Sequence, residues 1–273
     1  MVLGRPSIHI RRFGELDERF VAWVKKSLLD CYEKFKETVP ELVEVYLFQK
    51  EGQVRTFLRE EKARLGVATS LDESFVTTHD AWTGIPRISI CEEALINLPY
   101  KVRLGALHHE AGHSILHGSI EFYIVPPQFD LKEPYIPSNL WQDVVFLASV
   151  AVKDYQVTKV LYEKSFVDDQ FEFTTYFLKP SEEEKFTWSL ASMSRHLKVV
   201  FLTSLMKSVA CALPLVEDKR VGTKVKESIS SYIEYLPEED KMVLTKFLEP
   251  FKGLSGRFHE DLAIILKRIS QNL

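Results

Sequence analysis

Cysteine, asparagine and glutamine are scarce in this 273-residue chain, and no long uninterrupted apolar run occurs. The three cysteines, Cys31, Cys91 and Cys211, are isolated and odd in number. That excludes a disulfide framework and a cysteine-based metal cluster, and it reads as reduced core thiols in a cytoplasmic protein. Arg5, His9, Arg11 and Arg12 break the N-terminal stretch, which lacks the form of a signal peptide. The most apolar segment, residues 197–216, is interrupted by Lys198, Lys207 and Pro214 and reads as a buried helix, not a membrane span. Excess basic charge is missing too. The formal net charge of −4 gives no electrostatic case for binding nucleic acid or an anionic membrane. No repeat or low-complexity linker is visible. The remainder, 45% apolar and 27% charged, is the composition of a globular protein with one large or two modest domains.

Against this plain background one stretch carries chemistry: His109-Glu110-Ala111-Gly112-His113, of the form H-E-x-x-H. Helical positions four apart point the same way, so both imidazoles can reach one metal ion. Glu110, next to the first ligand, can reach water at the metal and act as a general base. The flanks predict a single helix over residues 99–117, with Pro99 at its start and Gly118 at its stop. Leu104, Leu107, Ala111 and Ile115 would face the core, and Gly105, Ala106 and Gly112 would admit close neighbours.

The preceding chain alternates helices and strands. Apolar steps of three or four predict a helix over 15–38, ended by Pro40, and another over 53–65, ended by Gly66. Strands are predicted over 42–48, 75–82 and 87–91. Pro86 at the start of the last one predicts an edge strand, because proline cannot donate to a ladder. Residues 118–137 are expected to be a loop rimming a cleft, followed by a heavily apolar helix over 140–163. Beyond Asp168-Asp169, helices are expected over 182–213, 218–236, 238–249 and 254–271.

At His109-Glu110-Ala111-Gly112-His113-Ser114-Ile115-Leu116-His117 the chain resembles the zincin metallopeptidases, in the H-E-x-x-H-x-x-x-H form of small intracellular gluzincin-like members. The resemblance is specific over about ten residues and looser over roughly 40–165. It implies an α+β fold: a small mixed sheet, the metal helix and a second ligand helix; the helical pattern beyond residue 168 adds a helical C-terminal subdomain. The expected division is 1–167, a zincin-like catalytic core, and 168–273, a helical subdomain. It also implies one zinc ion, and a peptide substrate along the edge strand 84–91, where a free strand edge offers unpaired N–H and C=O groups.

The resemblance places the third ligand on the helix over 140–163. There Asp154 has Val150, Ala151, Val157 and Leu161 as helical neighbours, so its carboxylate sits on an apolar face and needs a partner of positive charge. Gluzincins usually supply Glu here, with an Asp one turn later; this chain has Asp154 and then Thr158. Asp143 lies about 16 Å away along the axis and Glu163 points the opposite way. Glu121 and His117 remain alternative ligands, although eight residues of straight helix separate His117 from His109 by about 12 Å. Arg195, His196, Tyr155 and Tyr176 are candidates for stabilising an oxyanion.

These residues support a zinc-dependent metallopeptidase, a hydrolase with Glu110 as base and His109, His113 and Asp154 as ligands. Two other readings stand beside it: a catalytically silent zinc-binding regulatory or interaction protein, and a metal-dependent hydrolase of a non-peptide amide.

Overall fold

In a computed structural model, residues 6–35, 39–65, 76–124 and 136–272 are described. Packing divides the chain into two units, Met1–Ile124 and Val125–Leu273. The described residues form an α+β protein with eleven α-helices and one four-stranded mixed sheet.

The first unit holds the whole sheet. Its strands are β1 (Ser7–Phe13), β2 (Leu42–Phe48), β3 (Thr77–Asp80) and β4 (Arg87–Cys91), in the order β1-β2-β4-β3. β1 and β4 both run parallel to β2, and β3 runs antiparallel to β4. β2 is buried on both faces: Val43, Val45 and Leu47 on one, Tyr46 and Phe48 on the other. Helix α1 (Glu18–Tyr32) starts at Asp17, whose carboxylate accepts from the Arg19 amide at 2.7 Å. It buries Phe20, Val24, Leu28, Cys31 and Tyr32 at the helical period. Helix α2 (Glu51–Leu65) brings Val54 and Leu58 onto Tyr46, Phe48 and Cys91. A short helix α3 (Glu92–Ile96) leads into α4 (Tyr100–Leu116), which packs on α1, β3 and β4.

The structure corrects the expected edge. β4 pairs with β2 on one side and β3 on the other, so residues 87–91 lie inside the sheet and offer no free ladder to a substrate. Pro86 stands one residue before the strand and uses only its carbonyl, which accepts from the Glu44 amide at 3.0 Å. Its missing N–H therefore costs the ladder nothing. The edges among the described residues are β1 and β3.

The second unit is helical. Helix α5 (Ser138–Glu163) is its axis and packs most extensively on α8 (Arg195–Ala212). Val144, Leu147, Ala148, Ala151, Val157 and Leu161 of α5 and Leu202, Leu205, Met206 and Val209 of α8 are buried. By length and composition the stretch Arg195–Leu215 could cross a membrane, and half of its apolar window is buried within the protein. The expected helix over 182–213 is two: α7 (Glu182–Ala191) and α8, which restarts at Ser194, whose hydroxyl accepts from the Leu197 amide. Helices α6 (Val167–Phe177), α9 (Gly222–Tyr232), α10 (Glu238–Leu248) and α11 (Phe258–Ser270) complete the unit. Fully buried Asp261, in the first turn of α11, accepts from the Ser255 and Gly256 amides and from Gln156 of α5 at 2.8–2.9 Å. Pro126, Pro127 and Pro134 of the expected cleft rim lie outside the described residues.

On the α2 side of the sheet, the Arg87 guanidinium is 1% exposed. It donates to both Glu61 oxygens and, through Nε, to Asp80 at 2.9 Å, and it lies over the rings of Tyr46 and Phe57. Burial pushes the Asp80 carboxyl above its ordinary range, with Arg87 pulling it back. Arg87→Met should cost about 3–5 kcal/mol in urea unfolding, because it strands two buried carboxylates. In the folded variant the Asp80 carboxyl, already raised by burial, would rise further without Arg87 to pull it back. Folded protein would bind more protons than unfolded protein, so the deficit should shrink as pH falls from 8 towards 5.

Candidate metal centre

Helix α4 turns His109, Glu110 and His113 inward, and all three are buried, at 4–8% exposure. The Nε2 atoms of His109 and His113 lie 3.1 Å apart, with the rings edge to face. Zinc–nitrogen bonds of about 2.0–2.1 Å in a tetrahedron require nitrogens about 3.3 Å apart, so this pair matches one edge of such a site.

His117 caps the C-terminal end of α4 with a non-helical backbone, at φ −128°. Leaving the helix turns its ring back, and its Nδ1 meets His113 Nδ1 at 3.2 Å. With His113 Nε2 given to a metal, its Nδ1–H donates to His117, the kind of contact that fixes tautomer and ring direction of a ligand. Phe122 packs edge-on against the His117 ring at 5.2 Å.

β3 supplies the other wall. Its register sets Thr77 opposite Ile90 and His79 opposite Ile88, on the α4 face, while Asp80 faces Arg87 on the other side. The Thr77 hydroxyl donates to Glu110 Oε1 at 2.8 Å. The His79 ring stacks on His113, with centroids 5.9 Å apart, and its Nδ1 shares a 2.5 Å hydrogen bond with the Tyr123 hydroxyl. From α1, fully buried Tyr32 shares a 2.7 Å hydrogen bond with Ser114, and Cys31 Sγ contacts the His108 carbonyl. Burial pushes the Tyr32 phenol well above its usual range.

Of the other sequence candidates, Glu121 is exposed in a 3-10 turn (Ile120–Phe122) and accepts from the Ser119 hydroxyl at 3.1 Å. Asp154 is on α5, in the second unit, half-buried between the fully buried Ala151, Val157 and Leu161. The Lys153 ammonium beside it is pushed down to about 8, chiefly by burial, while Asp154 acts in the opposite direction. Asp143 is half-buried near the start of α5, and Glu163 is exposed at its end. Arg195 is exposed and His196 half-buried at the start of α8. Tyr155 packs on Phe251 at 5.3 Å, and the Lys179 ammonium lies over the Tyr176 ring.

Thr77, His79 and Tyr123 were not singled out from the sequence. The available signal was Thr77-Thr78-His79-Asp80, a strand with polar residues on both faces, which fits no ordinary core strand. Compared with protein-family models, with curated proteins and with solved structures, the chain returns no match.

The Tyr32–Ser114 bond anchors α4 to α1. Ser114→Ala should cost about 1–3 kcal/mol in urea unfolding, because it leaves the buried Tyr32 hydroxyl without that partner. Adding Tyr32→Phe should recover part of the loss, and a double-mutant cycle measures the coupling.

Proposed function

We propose that the protein is a zinc-dependent metallopeptidase with a zincin-like core, in which Glu110 is the general base. The carrying observation is the buried pair His109 and His113, with Nε2 atoms 3.1 Å apart and the Glu110 carboxylate buried beside them. As proposed third ligand, Asp154 adds a carboxylate oxygen to the two imidazole nitrogens, a donor set that suits zinc. When bound, the ion supplies Lewis acidity towards water and the substrate carbonyl.

The chain's own residues then divide the work. His117 steadies His113 through the nitrogen that faces away from His109. Glu110 takes a proton from the attacking water and gives it to the leaving amine. A peptide in extended form would add to β3, an edge strand among the described residues that packs on α4. The buried thiols Cys31 and Cys91 suit a reducing compartment such as the cytoplasm.

One difference separates an enzyme from a silent zinc module. A structural site is closed by a fourth protein ligand. His117 meets His113 through Nδ1, and exposed Glu121 is engaged with Ser119.

Purified protein should contain about one zinc by plasma mass spectrometry and should cleave denatured casein or short peptides in preference to small amides. Asp154→Ala should lose most of the metal. Glu110→Gln should keep the metal and lose turnover by about 10²–10⁴-fold. Undiminished peptide cleavage by Glu110→Gln would rule out this mechanism.

A further inference from the structure

A glutamate side chain has three rotatable bonds, so a catalytic carboxylate must be held by something outside itself. Here one such holder comes from another element. Thr77 is on β3, and its register opposite Ile90 of β4 sets the position of its backbone. As a β-branched residue in a strand it has few side-chain rotamers. Its hydroxyl donates to Glu110 Oε1 at 2.8 Å. The connection spans thirty-three residues and links the sheet directly to the helix that carries the histidines.

We infer that Thr77 is a positioning residue for Glu110: its hydroxyl holds Oε1 and so helps to aim the carboxylate that moves the proton. This rests on the peptidase reading above. In the reaction, the water oxygen bonds to the carbonyl carbon while its proton passes to the Glu110 carboxylate. That proton then goes to the amine nitrogen as the C–N bond breaks. Without the Thr77 hydroxyl the carboxylate is held less firmly in this direction, and proton transfer slows while binding of substrate and metal is untouched. The parity of the strand makes this specific to position 77: Thr78 pairs with Ser89 and takes the opposite face.

The test compares Thr77→Val, which keeps shape and strand preference but removes the donor, with Thr77→Ser, which keeps the donor. Two readouts are needed. The first is the ¹³C resonance of the Glu110 side-chain carboxyl in metal-free, glutamate-labelled protein, identified by its disappearance in Glu110→Gln. The second is kcat and KM for peptide cleavage by zinc-loaded protein, with zinc content measured on each sample.

The expected result is a shifted Glu110 resonance in Thr77→Val and a near wild-type resonance in Thr77→Ser. With it should come a kcat lowered on the order of tenfold to a hundredfold in Thr77→Val. KM and zinc content should be unchanged, and Thr77→Ser should recover most of the rate. An unmoved resonance, a wild-type kcat in Thr77→Val, or zinc loss in that variant would each overturn the positioning role and leave the peptidase reading standing. Failure of Thr77→Ser to recover the rate would do the same. A wild-type protein that binds zinc and cleaves nothing overturns both, even if the resonance moves as expected.

Discussion

The middle of α4 buries more polar chemistry than a helix can satisfy by itself. His108, His109, Glu110, His113 and Ser114 are all buried, and the backbone groups around them are already spent on the helix ladder. Each buried polar group left without a partner costs about 1–3 kcal/mol, a large share of a domain's net stability. The partners come from three directions. α1 meets Ser114 with Tyr32, β3 meets Glu110 with Thr77, and the end of α4 returns His117 onto His113. The first unit is therefore constrained by polar complementarity as well as by its apolar core, and the same contacts that satisfy α4 also orient its chemistry.

The sheet keeps two unlike charge systems apart with one strand. On β3, His79 faces α4 and Asp80 faces Arg87. A slip of one residue would exchange them, putting a carboxylate against the imidazoles and an imidazole against a buried guanidinium. Neither arrangement is affordable at such low exposure, so the chemistry on both faces enforces the register of a strand only four residues long. Antiparallel pairing with β4 supplies the rest of the specification.

Much of this was legible in the sequence where the pattern is local. The strands at β2 and β4 and the helix carrying the H-E-x-x-H run are marked by β-branched alternation, by Pro99 and by the four-residue spacing of the histidines. Contacts made across the sheet were not legible. Pro86 was read as an edge signal because sequence shows that proline lacks an N–H, not that its position falls just before the ladder begins. β1 was missed because its apolar residues Ile8 and Ile10 are few and only half-buried, set between exposed Ser7, His9 and Arg11. The break between α7 and α8 was hidden in a continuous helical pattern, and only the Ser194 cap reveals it. Thr77 carries only the weak mark of a strand polar on both faces, and a threonine there is ordinary until the helix it touches is known.

The bond between Gln156 and Asp261 joins side chains 105 residues apart and closes the last helix onto α5. During synthesis the ribosome delivers residues in order, so α5 emerges long before its partner at 261 exists. For that interval its buried face and the Gln156 amide have no native cover from α11. The sheet-bearing unit reaches its own last strand at Cys91 and its histidine helix by Leu116, while most of the helical unit is still to be made. The order of translation therefore favours a nascent chain whose first unit has matured while its second still waits for its last helix.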